Sequence, residues 1–191
     1  GVVIAKGKEV THVKEGDTVM VTWVPRDGEN ATRKAEMSTL TLPSGETASA
    51  SCFTWADNTI ADEQFVVKVP SDIKKDVTAI IGCAVMTGSG AVYHTAGVKK
   101  GQSVAVYGVG GVGLSAIAAA KVVEAYPIIA VDLDESKLEF AKKFGATHGI
   151  NASQVDPIAA IQELTKNPAE VNMMGMPVAG VDFAFDCIGV R

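Results

Sequence analysis

The hydrophobic and polar positions follow one pattern before Pro70 and another after it. Ahead of Pro70, short β-branched runs alternate with turn residues. Val2-Val3-Ile4 is such a run, broken by Lys6-Gly7-Lys8-Glu9, and Glu15-Gly16-Asp17 is a turn leading into residues 18–23, rich in strand formers. Residues 26–34 are polar, with Gly28 and Asn30, and read as an exposed loop. Residues 38–42 and 64–69 are further strand candidates. No helical period emerges before Asp72, and short strands separated by turns predict a small barrel or sandwich.

Past Pro70 the period lengthens. Ile73, Val77, Ile80, Ile81 and Ala84 can share one face of a helix over residues 72–96. From Gly101 onward, strand-like and helix-like segments alternate. Residues 103–107 form a strand, 112–125 an Ala-rich helix and 128–131 a second strand. Leu138, Ala141 and Phe144 lie in register on a helix closed by Gly145. Residues 147–151 follow as a short strand. Asp156-Pro157 opens another helix, because Asp suits the cap and Pro the first helical position. Residues 181–185 are the last strand. The stretch 167–180 reads as a long connection, with Met173, Met174 and Met176 filling a core or forming a contact surface. Alternating β and α segments with buried strands predict an α/β fold: a parallel sheet covered on both faces.

Composition narrows the functional classes. Hydrophobic residues make up 47% of the 191 and charged residues 20%, enough to bury an ordinary globular core. A net charge of -5 with no Lys/Arg block argues against nucleic acid. No stretch reads as long and apolar enough to span a bilayer, and no membrane partner is expected. Cys52, Cys83 and Cys187 are widely spaced and odd in number, so a disulfide framework is not expected and a reduced, cytoplasmic setting is. Asn30-Ala31-Thr32 and Asn151-Ala152-Ser153 match a glycosylation sequon and read as chance matches.

The segment Gly108-Val109-Gly110-Gly111-Val112-Gly113 fits G-x-G-x-x-G between a buried strand and a helix. Gly108 permits a tight turn, Gly110 lets the backbone approach a pyrophosphate, and Gly113 lets helix and strand pack closely. The pyrophosphate would rest on the free N–H groups of the helix starting near Gly111. Asp132 ends the second strand, about 20 residues on. A carboxylate there accepts hydrogen bonds from an adenosine ribose diol and repels a 2′-phosphate, which selects NAD over NADP.

These motifs, with Ile81-Gly82-Cys83-Ala84-Val85-Met86-Thr87-Gly88 before them, resemble those of the zinc-dependent medium-chain alcohol dehydrogenases. Lys14-Glu15-Gly16-Asp17-Thr18-Val19 resembles a turn of that family's catalytic domain. Residues 140–147 and 181–189 resemble its later cofactor-domain segments, so nearly the whole chain can be laid on the family. The resemblance implies residues 1–84 as part of a β-rich, GroES-like catalytic domain and 85–191 as part of a Rossmann domain whose sheet is incomplete at its C-terminal half. It implies an NAD-dependent oxidoreductase acting between an alcohol and its aldehyde or ketone, with a catalytic zinc as Lewis acid. Cys83 matches a zinc ligand, Thr87 a residue packing near the nicotinamide, and Asp132 with Lys137 the pair that holds the adenosine ribose. Lys137 reads equally as an exposed helix lysine. A homodimer or homotetramer is the family expectation for the full-length protein.

The departures are equally specific. The family's other two catalytic-zinc ligands match points upstream of Gly1, and its four structural-zinc cysteines have no counterpart. One thiolate cannot make a site that needs three protein ligands, so for this polypeptide alone Cys83 reads as a buried cysteine among apolar neighbours. His12, His94 and His148 match no ligand position and are assigned to surface or packing. The expectation is an internal portion of an enzyme, inactive by itself. An inactive NAD-binding module and a zinc-independent reductase of the same superfamily are the alternatives.

Overall fold

Turn chemistry organises the first part of the chain more than strand length does. In the computed structural model, residues 1–26, 34–171 and 173–189 are described, so most of the polar 26–34 segment and the sequon at Asn30 lie outside. Contacts divide the chain into two compact units, Gly1–Cys83 and Ala84–Arg191.

The first unit holds β1 (Val19–Val21), β2 (Ser38–Thr41), β3 (Thr47–Ala50), β4 (Val66–Lys68) and the short helix α1 (Lys75–Thr78). Gly16 adopts φ +86°, a left-handed conformation that glycine reaches without a Cβ penalty. This turns the chain into β1. The turn is tied to β4 by Asp17, which accepts the Lys14 N–H at 3.0 Å and pairs with Lys68 at 2.9 Å. The Lys68 ammonium holds the Asp17 carboxyl below the usual range, helped by the Lys14 amide.

The strand expectations for this unit hold in part. β1 pairs antiparallel with β4, and β2 with β3, as two separate two-stranded sheets among the described residues. That is neither the barrel nor the sandwich expected. Val2-Val3-Ile4 forms only an isolated bridge, Val2 to Thr18. β3 was not foreseen, because Thr-Ala-Ser-Ala lacks bulky β-formers; its hairpin is closed by Gly45, φ +87°, whose N–H donates to Leu42 O at 2.9 Å.

Helical turns run over 22 residues from Lys75 to Ala96, and an 18-residue window within them has mean hydropathy 1.3. Among the described residues one helix is therefore long and apolar enough to cross a membrane by length and composition, contrary to expectation. It widens into i→i+5 turns at Ile81–Val85 and Ala91–Ala96. The apolar face expected over residues 72–96 is not buried as a whole: Ile73, which precedes the helix, and Val77 and Ile80 are exposed.

The second unit holds α2 (Met86–Gly90), β5 (Val104–Tyr107), α3 (Gly111–Val122), β6 (Ile128–Asp132), α4 (Glu135–Phe144) and β7 (His148–Asn151). α5 (Pro157–Thr165), β8 (Asn167–Val171), β9 (Pro177–Val178) and β10 (Phe183–Asp186) follow. β10, β5, β6 and β7 lie side by side in that order, all parallel, with Val104 opposite both Phe183 and Ile128. Strand alternation serves both faces. Val104, Val106, Ile128 and Ala130 pack with Ala116, Ile117 and Ala120 of α3 and with Leu138 and Ala141 of α4. Ala105, Ile129, Val131 and Ile150 pack with Ile161 of α5 on the opposite face.

Local chemistry places the helix ends. Asp134 caps α4 by accepting the Ser136 N–H at 2.8 Å, and Gly145 at φ +123° ends it. Asp156 caps α5 through the Ile158 N–H at 3.0 Å, with Pro157 in the first turn. The expected connection 167–180 instead contains the antiparallel pair β8–β9. Met173, Met174 and Met176 are exposed there, so they fill no core.

Candidate functional site

From β5 the chain passes through α3 to β6 on one side, while β10 returns to the other side of β5. The carboxyl end of β5 is thus the topological switch point, where open α/β sheets form their crevice. The glycine loop leaves β5 there.

Each glycine answers a different constraint. Gly108 has φ +83°, its N–H donates to Val131 O at 2.8 Å, and a Cβ on it would meet Ile188 Cγ1 at 2.6 Å. A Cβ on Gly113 would stand 1.9 Å from Gly108 O, so loop and helix pack backbone to backbone. Gly110 differs: a Cβ there would have nothing within 4 Å. Space is open beside its extended backbone, where α3 starts at Gly111 with no side-chain cap. The first-turn N–H groups and the positive end of the helix dipole therefore have no capping side chain at that point. Gly111 is exposed and Val112 half-buried.

Asp132 stands at the end of β6, half-buried. Its Oδ2 accepts the Val109 N–H at 2.9 Å, and its Oδ1 accepts those of Leu133 at 2.8 Å and Asp134 at 3.1 Å. Lys137 is exposed on the first turn of α4 and makes no ion pair with Asp132. Its charge is felt at Asp134, whose carboxyl is held low chiefly by the Ser136 hydroxyl and amide. Thr87 is exposed on α2, and a Cβ on the next residue, Gly88, would lie 2.2 Å from Val112 O, so α2 and α3 pack at contact distance.

Two features of this crevice escaped sequence reasoning. The Asp186 Oδ1 accepts N–H bonds from Ile188 at 2.9 Å and Gly189 at 3.3 Å, and these hold its carboxyl below the usual range. That turn seats Ile188 over Gly108, while the Cys187 N–H donates to Tyr107 O at 2.8 Å. Burial pushes the Cys187 thiol up. Aspartate two residues ahead of Ile188 is a recognisable turn signal, but nothing local says which glycine the turn covers.

The residues present do not fit a catalytic zinc. Cys83 is exposed, not buried as expected, and no group of three His, Cys, Asp or Glu side chains that could hold a metal exists among the described residues. His12 Nε2 lies 3.1 Å from Val66 O and its Nδ1 lies 3.5 Å from Glu63, a packing role. His94 is exposed, and His148 Nδ1 lies 2.9 Å from Thr147 Oγ1.

A glycine loop at the switch point of a parallel sheet, with a carboxylate ending the neighbouring strand, defines a Rossmann-type α/β fold. Residues 111–191 match the family described as zinc-binding dehydrogenase. The chain is 33% identical to the class-3 alcohol dehydrogenase of Cereibacter sphaeroides, over 99% of this chain and 55% of that one. It is 32% identical to an S-(hydroxymethyl)glutathione dehydrogenase of Photobacterium damsela subsp. piscicida, over 99% and 54%. Its fold matches the crystal structure of benzyl alcohol dehydrogenase from Acinetobacter calcoaceticus with TM-score 0.78 and 30% identity, over 100% of this chain and 54% of that one. Over 99–100% of its length the chain is thus similar to alcohol dehydrogenases, and its residues 111–191 to zinc-binding dehydrogenases. It spans just over half the length of these relatives.

Proposed function

We propose that the chain supplies the NAD-binding part of an alcohol dehydrogenase, which moves hydride between an alcohol and its aldehyde or ketone. The observation that carries this reading is the open space beside Gly110 at the uncapped start of α3, bordered by the strand-end carboxylate Asp132. In this reading residues 85–191 form the dinucleotide-binding domain and 1–84 part of the catalytic domain. The backbone N–H groups of Gly111, Val112 and Gly113 hold the pyrophosphate, and Gly108 and Gly113 keep loop and helix close enough to present them. Asp132 takes an adenosine ribose hydroxyl and excludes a 2′-phosphate by charge; Lys137 borders the same ribose, and Thr87 packs on the nicotinamide side. Bound NAD supplies the hydride acceptor. A small alcohol or aldehyde is the substrate class, and self-association into a dimer or tetramer belongs to the same reading, as does a reduced, cytoplasmic setting.

Titration of NADH and NADPH against the chain and its Asp132→Ala variant tests this. Hydrogen bonds to a charged group are worth about 1.5–3 kcal/mol each, so the variant should lose about tenfold or more of its preference for NADH. Equal binding of the two cofactors by the unaltered chain would remove Asp132 from the ribose site.

A second reading covers the 191-residue chain by itself: cofactor binding without turnover. The missing three-donor set among the described residues favours it. Sustained NAD reduction by this chain with any simple alcohol would overturn it.

A further inference from the structure

The Asp132 carboxylate is already largely engaged before any ligand arrives. A carboxylate has about four lone-pair positions. Three are filled by backbone N–H groups: Leu133 and Asp134 on Oδ1, Val109 on Oδ2. The first two bonds are local and shape the turn from β6 toward α4. The third spans 23 residues and reaches into the glycine loop. It holds the residue between Gly108 and Gly110, and thus the backbone that faces the open space at the start of α3. On its other side the loop is held by Gly108 N–H donating to Val131 O at 2.8 Å. One position, on Oδ2, stays free for a ligand hydroxyl.

We infer that Asp132 is a positioning residue for the phosphate-binding loop as well as the ribose-contacting residue. The inference rests on the cofactor reading above and adds a second duty to the same side chain. Removing the carboxylate leaves the Val109 N–H without its acceptor in a buried residue, where an unpaired amide is unfavourable. The loop then shifts to find another partner, and the pyrophosphate cradle loses its shape whether or not the ligand carries ribose hydroxyls. An asparagine does not restore the arrangement. Its one acceptor oxygen stays with the two local N–H groups of Leu133 and Asp134, and its NH2, a donor, then faces the Val109 N–H. It follows that a single substitution at Asp132 intended to admit NADP costs phosphate binding along with the ribose contact.

The test uses the 191-residue chain with Asp132, Asp132→Ala and Asp132→Asn. Amide hydrogen exchange is followed at Val109 and Gly108, and affinity is measured for NAD and for an NAD analogue lacking both adenosine-ribose hydroxyls. In both variants the Val109 amide should exchange about tenfold faster or more, the effect of one charge-assisted hydrogen bond. The Gly108 amide should keep its protection, and binding of the analogue should weaken about tenfold. Unchanged Val109 exchange with unchanged analogue binding overturns the inference and leaves the ribose contact standing. An equal loss for NAD and the analogue does the reverse: it removes the ribose contact and supports the anchoring of the loop. The exchange measurement needs no cofactor. If Asp132→Ala loses Gly108 protection through unfolding, Asp132→Asn, which keeps one acceptor oxygen, decides.

Discussion

A Cβ on Gly113 would stand 1.9 Å from the carbonyl oxygen of Gly108, closer than any side-chain carbon can approach backbone oxygen. Gly113→Ala therefore cannot be absorbed by a rotamer change, since both partners are backbone. Overpacking of this kind costs about 1–3 kcal/mol. The expected outcome is a clear fall in the urea midpoint, with cofactor binding lost alongside. An unchanged midpoint would mean that loop and helix sit farther apart.

Gly110→Ala should behave in the opposite way. Its Cβ would meet nothing within 4 Å, and its backbone, φ -77° and ψ -165°, is open to any residue. Stability should change by no more than about 1 kcal/mol, the usual range for a substitution at a helix cap. The new methyl group faces the space assigned to the pyrophosphate, so NAD affinity should fall while the fold persists. Denaturation and NADH titration on one preparation separate the two effects.

Acid sensitivity should trace to the start of the sheet. Asp182 Oδ2 accepts both the Ser103 N–H and the Ser103 hydroxyl at 2.7 Å, and its own N–H donates to Ser103 Oγ at 2.8 Å. The Ser103 bonds hold the Asp182 carboxyl below the usual aspartate range. A lowered folded-state pKa means stability that is present above the unfolded value, about 3.9, and lost as pH falls through the folded one. The pair is exposed, so the contribution is small. Ser103→Ala should flatten the thermal midpoint between about pH 5 and pH 2 relative to the unaltered chain. Curves that run parallel would sink the assignment.

Chelation should leave the chain unmoved. Cys83 is exposed and no three-donor group surrounds it among the described residues. Thermal midpoints with and without a strong chelator should coincide, and Cys83→Ser should leave NAD affinity unchanged. Tight stoichiometric zinc binding that disappears in Cys83→Ser would overturn this.

Much of the second unit was legible in advance because its signals are local. Apolar β-branched runs marked β5 and β6, Asp156-Pro157 marked the start of α5, and Gly145 the end of α4. The first unit was less legible, since β3 is built from small residues, and in the second unit β8 and β9 each carry a Pro that a strand pattern does not suggest. The segment 72–96 reads as one amphipathic helix, but the helix starts at Lys75 and Ile73, Val77 and Ile80 are left exposed.

By itself the sequence determined where the glycine loop lies, which helix follows it, and that a carboxylate ends the next strand. Those features depend on residues a few positions apart, whose spacing and backbone preferences act wherever the chain is. Only the tertiary structure decided that Asp132 meets the Val109 N–H, that Ile188 covers Gly108, and that Cys83 stands exposed without companions. These depend on β5 lying between β6 and β10, which brings residues 23 and about 80 positions apart into contact. Propensity carries no information about which N–H a distant carboxylate will reach; strand order and register do.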